Sequence, residues 1–254
     1  MTIDDVWLTD RAKELRASIL FFTRLPFAQA TPVGGAAIAL AAWAFPIAGV
    51  LVGLVGAVVY ALAHRALPAW PAAALSVAAT MALTGCLHED GLADTIDGFG
   101  GGKTAEQKLA IMRDSRIGAY GVCALALSIL LRASALASLA DTALAAAALV
   151  AAHGGARAAL PAFMFFMPPA RSDGLSFSAG HPPGESVVAA AVLGVLIVVL
   201  SLGLATGVAA LALLAVAAVL IGWLSLAQID GQTGDVLGAV EQIGEIVILL
   251  VALR

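Results

Sequence analysis

The chain has 254 residues, 61% of them hydrophobic and 12% charged, with a net charge of −4 and a mean hydropathy of +1.01. Soluble domains carry about 25% charged residues. Half that share, with apolar runs near or above the ~20 residues that cross a bilayer, excludes an ordinary soluble globule and indicates a polytopic membrane protein. The negative balance gives no case for nucleic-acid binding. In lipid the backbone must satisfy its own hydrogen bonds, and these Ala- and Leu-rich runs lack strict alternation. The expected fold is therefore all-α: an integral membrane bundle of about seven helices forming one catalytic domain over 1–254.

The N-terminus mixes acids and bases (Asp4, Asp5, Asp10, Arg11, Lys13, Arg16), unlike the basic start of a secretory leader. Ala17 to Phe27, ASILFFTRLPF, is too short to span and reads as an interfacial helix ended by Leu25-Pro26, within an interfacial segment 1–33. Apolar spans are expected near 34–63, 68–87, 118–138, 142–167, 187–206, 208–228 and 236–253. The first is long enough to be tilted, kinked at Pro46 or broken into a re-entrant pair. The Ala-rich stretch 133–152 reads as a packing surface. Cys86 and Cys123, at or near span ends, read as small apolar filler rather than a disulfide or metal pair.

Seven spans place the N-terminus, 88–117, 168–186 and 229–235 on one face of the membrane. The first two segments hold Arg11, Lys13, Arg16, Arg24, Lys103, Lys108, Arg113 and Arg116, and the third holds Arg171. The turns opposite hold only Arg65, plus Arg254 at the end. The positive-inside rule then puts the polar face, and with it the N-terminus and a site assembled from separate segments, in the cytoplasm.

Ten of the thirty charged residues fall between Glu89 and Arg116, in EDGLADTIDGFGGGKTAEQKLAIMRDSR, read as a cytoplasmic catalytic loop over 88–117. Asp90, Asp94 and Asp97 are spaced four and three apart and share one helical face. Three hard oxygen donors without an intervening counter-charge suit Mg²⁺, with Mn²⁺ as the alternative, bridging to substrate phosphate. Zinc through His88 is the weaker metal reading, since no second His or Cys stands nearby at ligand spacing. Gly91 and Gly98 thin the backbone beside the aspartates, and Gly100-Gly101-Gly102 ends the helix. Downstream, Arg113 and Arg116 share a face and offer forked donors to phosphate, while Asp114 completes the metal shell or holds an arginine. Arg157 lies inside an apolar run and should face a protein interior or wet cavity. Arg171, Asp173 and His181 occupy a later loop. Thr233 or Asp235 stands at a helix start as an N-cap, and Glu241 and Glu245 follow, either as partners for Arg157 or another base or at the membrane interface.

These motifs resemble those of the cobalamin synthase (adenosylcobinamide-GDP ribazoletransferase) family. HEDGLADTIDG resembles H-x-D-G-L-A-D-x-x-D-G, IMRDSRIG resembles I-M-[KR]-D-S-[RP]-[IL]-G, QTGDVLGA resembles the closing G-G-x-T-G-D-x-x-G-A, and FFTRLP resembles T-R-[IL]-P. The resemblance covers nearly the whole chain. Three departures stand out: Glu89 replaces a usually apolar residue, Asp230-Gly231 replaces Gly-Gly, and the loop after Asp173 carries His181-Pro182-Pro183. The resemblance implies a bacterial inner-membrane enzyme that joins adenosylcobinamide-GDP to α-ribazole or its 5′-phosphate, releasing GMP, with Mg²⁺ required. On this reading Asp90, Asp94 and Asp97 hold metal, and Asp97 or Asp114 takes the hydroxyl proton. Arg113, Ser115, Arg116, Arg157, Arg171, Thr233 and Asp235 bind substrate. The remaining expected partners are the lipid bilayer and a second copy of the chain or neighbouring enzymes of cobalamin synthesis. Two rival readings are a CDP-alcohol phosphatidyltransferase, whose D-G-x-x-A-R pattern fails at Asp94, and a transporter, which calls for ionisable groups at mid-span.

Overall fold

The computed structural model describes residues 3–26, 35–139 and 141–254, all in helices and their connections apart from one isolated bridge. The helices are α1 (Ile3–Phe22), α2 (Gly35–Leu40), α3 (Phe45–Ala63), α4 (Ala69–Thr84), α5 (Leu87–Gly101), α6 (Ala105–Ile111), α7 (Ala119–Ser138), α8 (Thr142–Phe166), α9 (Gly174–Ala179), α10 (Gly184–Leu202), α11 (Leu204–Ile229) and α12 (Gly234–Val251). A 3₁₀ turn over Ala41–Ala44 joins α2 to α3, with Pro46 in the first turn of α3, where its missing N–H costs nothing. Gly35–Ala63 thus forms one span candidate of 29 residues rather than a re-entrant pair. The N-terminal helix begins at Ile3, well before Ala17, and stops at Phe22, so Thr23 to Pro26 lie beyond its end. Phe27 and the linker to Gly34 lie outside the described residues.

Among the described residues five helices are long and apolar enough to cross a membrane: the Gly35–Ala63 run, α7, α8, α10 and α11. The polytopic helical bundle expected from composition is therefore present, but two of the seven expected spans take another form. The 68–87 run is the 16-residue α4, which qualifies only together with α5 across a 91° bend. Gly85 and Cys86, both at positive φ, make that bend, and the side chain of Arg24 lies against Gly85. The last run, α12, carries Asp235, Glu241 and Glu245 and is mostly buried within the bundle. The outer helices α10 and α11 present Leu200, Leu204, Val219 and Trp223 outward, as lipid-facing helices do. Cys86 and Cys123 are both free and exposed.

Small residues set the inner packing. A Cβ at Gly49 or Gly53 of α3 would strike the α8 backbone at His153 or Leu149, and one at Gly194 of α10 would strike Ala158. Close approach of backbones substitutes for the hydrophobic drive that lipid does not supply.

At mid-bundle this packing encloses charge. Arg157 on α8 is 1% exposed, and its Nη1 lies 2.5 Å from Glu241 and 3.1 Å from Glu245, both on α12. The Glu241 contact is close but poorly aligned for a hydrogen bond. His153 pairs with Glu245, and Arg157 Nη2 reaches His88 Nδ1 at 3.3 Å. Arg132 on α7 donates to Glu89 at 3.0 Å and Glu245 at 3.1 Å. Gln242 donates to Glu241 and accepts from Ser128. His153, Glu241 and Glu245 have ligand atoms close enough to share a metal, but the two guanidiniums already occupy those carboxylates.

Removing one partner from such a network leaves a buried charge uncompensated. Arg157→Ala should therefore cost about 3–5 kcal/mol, seen as a lower Tm and loss of folded protein in detergent. Glu89→Leu combined with Arg132→Leu should cost less than the two single substitutions added together. Additive losses would show that the pair does not interact.

Candidate active site

The acidic helix reaches its position through its glycines. Gly91 of α5 meets Asp235 and Gly238 of α12, and Gly238 in turn meets the His88 backbone, so that a Cβ on either glycine would run into the partner helix. The two helices run antiparallel along this contact, His88 lying against Gly238 and Glu241 and Glu89 against Gln242. Asp235, at the first turn of α12, thereby lies among the aspartates of α5. Asp90, Asp235 and Asp97 are all close enough to Asp94 to repel its charge, and Arg171 is close enough to attract it. Asp90 is exposed, Asp94 half-buried and Asp97 buried. Among the described residues neither the Asp90 nor the Asp94 carboxylate makes a hydrogen bond or ion pair with a protein group.

Asp97 is different. Its two oxygens accept backbone N–H groups from Gly118 at 2.7 Å and Gly121 at 2.9 Å, at the start of α7. A Cβ at either glycine would displace the Asp97 carboxyl group. Asp97 thus ties the acidic helix to a helix N-terminus, where a carboxylate is favoured by the free N–H groups.

The loop after α8 enters the site through a short parallel bridge between Pro169 and Gln232, with Ala170 N–H donating to Gln232 O and Gln232 N–H to Pro168 O, each 2.8 Å. Gln232 also accepts from Ser176 at 2.7 Å. This bridge brings Arg171 Nη2 to 3.6 Å from Asp235. Asp173 lies 3.6 Å from Arg171 Nε and accepts from Arg113 at 2.6 and 2.7 Å. A chain of alternating charge, Arg113, Asp173, Arg171, Asp235, therefore links three segments far apart in sequence. Thr233 is the N-cap of α12, accepting from Val236 N–H at 3.3 Å and donating to Asp235 at 3.1 Å. Asp230, where the resembling pattern has glycine, has φ 59°, a left-handed turn that glycine and Asp both tolerate.

Asp114 belongs to another pair. It accepts from the Arg116 side chain at 2.5 Å and from its backbone N–H at 3.1 Å, and those bonds hold its pKa at about 2, below the usual 3.8. Ser115 and Arg116 beside it are exposed. Arg157, read from the sequence as a substrate ligand, is instead enclosed in the mid-bundle network. Sequence reasoning missed Arg132, His153 and Gln242. Arg132 had the same signal as Arg157, a lone charge within an apolar run. His153 and Gln242 had none beyond their spacing from Arg157 and Glu241.

Carboxylate oxygens suit a hard divalent cation. Asp90 and Asp94 lie near one another with Arg171 as the nearby counter-charge, although among the described residues only His153, Glu241 and Glu245 bring three ligand atoms within metal-sharing distance of one another. Asp90 and Asp94 are the residues that would hold it, with Asp97 supporting from behind and Asp235 alongside. These aspartates are flanked by guanidinium donors suited to phosphate.

The model of the Cobalamin-5-phosphate synthase family matches residues 14–253. An adenosylcobinamide-GDP ribazoletransferase of Bradyrhizobium diazoefficiens is 56% identical over 240 residues, covering 94% of this chain and 92% of that protein. Its counterpart in Mesorhizobium japonicum is 54% identical, covering 92% and 90%. That of Ralstonia nicotianae is 40% identical, covering 97% and 96%. No solved structure matches the chain. With the aspartate face, the arginine chain and the closing Thr233-Gly234-Asp235 motif all in place, the match over nearly the full length establishes that the chain belongs to the Cobalamin-5-phosphate synthase family.

Proposed function

We propose that the protein transfers the phosphocobinamide group of adenosylcobinamide-GDP to α-ribazole or its 5′-phosphate, releasing GMP, with Mg²⁺ bound at Asp90 and Asp94. The observation that carries this reading is the closeness of the Asp90 and Asp94 carboxylates to Asp235 and Arg171, from three sequence motifs that the fold brings together. The site works from the cytoplasmic side of the bacterial inner membrane, a reading supported by the concentration of Lys and Arg on the polar segments.

In the reaction an acceptor hydroxyl attacks the phosphorus nearer the cobinamide, the phosphoanhydride oxygen leaves with GMP, and the hydroxyl proton must go to a base. A bound divalent ion offsets the charge that develops on the phosphate oxygens. Arg171, already beside Asp235, and Arg113, joined to it through Asp173, are placed to hold the diphosphate. Both prior candidates for the base are committed elsewhere: Asp97 to two backbone donors and Asp114 to Arg116. A carboxylate held near 2 is a weak proton acceptor. Asp235 takes that role, oriented by Thr233 and set beside Asp94.

Asp90→Asn should lower turnover by at least ~10²-fold with the fold retained. Near-normal GMP release from folded Asp90→Asn protein would end the metal-face reading. Chelation of divalent ions should abolish product formation, Mg²⁺ should restore it, and GMP and corrinoid product should return together.

The pH dependence separates the candidate bases. Depressed to about 2, Asp114 keeps its pair with Arg116 above the usual 3.8 and loses it only as pH falls toward 2. Asp114→Asn should leave the acid limb of the kcat profile where it was. Asp235→Asn should remove that limb and lower kcat by about 10²–10⁴-fold. An intact limb in Asp235→Asn would assign the proton to another group.

A further inference from the structure

The aspartate face opens into a hollow that the reading above leaves without a use. The cavity is about 180 Å³, more than ten times the ~10–15 Å³ that one water requires. Its rim carries Asp90, Arg171 and Asp235, and its walls are apolar, with Phe22, Phe45, Leu160 and Met164 among them. Phe22 and Phe45 are each 1% exposed and meet edge to face at 4.8 Å. The Phe22 ring is fixed further by the Arg157 guanidinium 5.5 Å above it and by the His88 ring at 5.4 Å. His88 is the one buried polar side chain in the lining, its Nδ1 taken up by Arg157 and Glu241.

A simple anion has no need of phenylalanine walls, and a lipid chain has no need of a carboxylate and guanidinium rim. The lining fits a ligand that is both: a flat apolar ring system joined to a group bearing hydroxyls. Guanine, with donors and acceptors around most of its edge, matches poorly a lining whose polar side chains are His88, Asp90, Arg171, Ser176 and Asp235 and whose other residues are apolar or glycine. The corrin ring is far too large. The base of the acceptor is a dimethylated benzimidazole, with one free ring nitrogen and an apolar edge, and, joined to its ribose, it meets both requirements. We propose that this cavity seats the benzimidazole base of the ribazole acceptor, with Phe22, Phe45, Leu160 and Met164 as its walls and the ribose held at the rim against Asp235. The inference rests on the transferase reading and adds to it the place and the selectivity of the acceptor.

The test uses the full-length protein in detergent. Free 5,6-dimethylbenzimidazole should inhibit competitively against α-ribazole and not against adenosylcobinamide-GDP. Met164→Trp, which fills the cavity, and the milder Ala179→Val at its edge should raise KM for α-ribazole about tenfold or more, the scale of discrimination that small volume changes command in apolar pockets. KM for the GDP donor should stay put, and the riboside of unmethylated benzimidazole should suffer less than the dimethyl compound. Competition against the donor, a rise in donor KM alone, or an unchanged acceptor KM in both variants would overturn the assignment while leaving the transferase reading intact. If wild-type protein releases no GMP from these substrates, the transferase reading fails. Equilibrium dialysis of labelled α-ribazole then still decides the cavity: binding that is lost in Met164→Trp supports it, and no binding or equal binding refutes it.

Discussion

The arrangement depends on one costly feature, charge enclosed in the middle of a membrane bundle. Three carboxylates from α5 and α12 meet two guanidiniums from α7 and α8, with two imidazoles between them. The carboxylates exceed the guanidiniums by one charge. Burying such groups yields little net stability, because desolvation consumes most of what their attraction returns. The gain is in geometry. His88 and Glu89 are the two residues immediately before Asp90, and both are anchored in this network. A helix carrying repelling aspartates cannot hold itself against α12 by the attraction of those aspartates, so the restraint comes from the residues just behind them.

The second restraint is steric. Gly91 and Gly238 let α5 and α12 approach until their backbones nearly touch. That approach places Asp235 beside Asp94, from positions more than a hundred residues apart. The bend at Gly85 and Cys86 serves the same end. Irregular backbone within a membrane protein is tolerated where it is packed against protein or lines a cavity. Here it redirects the chain so that the acidic helix lies along α12 and α7 instead of continuing α4.

The sequence revealed the acidic face because the aspartates lie in helical register within one short window, and periodicity is a local property. It revealed the helical bundle for the same reason. It did not reveal which aspartates remain free. Asp97 looks identical to Asp90 in register, and only the position of the α7 N-terminus commits it to Gly118 and Gly121. The parallel bridge between Pro169 and Gln232 leaves no pattern in either segment, yet it decides that Arg171 reaches Asp235. Arg157 was rightly expected to face an interior, but its partners depended on Arg132 and His153, whose contacts are set by helix packing. Glu89 looked like an incidental departure from the resembling pattern. In the fold it is the acid that pairs with Arg132.

The placement of an apolar hollow against an acidic rim bears on why a membrane bundle carries this chemistry at all. Charges act more strongly on one another when water is kept from one side of them, since the effective dielectric falls. Here the phenylalanine walls, backed by tightly packed helices, form a dry side behind Asp90 and Asp235, while the polar segments leave the other side open to bulky, water-soluble reactants. An exposed cluster of the same residues on a soluble surface would be screened within roughly one Debye length of ~8–10 Å. In this view the bilayer contributes nothing to the bond that is made. It allows a bundle of small, apolar residues to hold a half-dry cleft whose charges keep their reach.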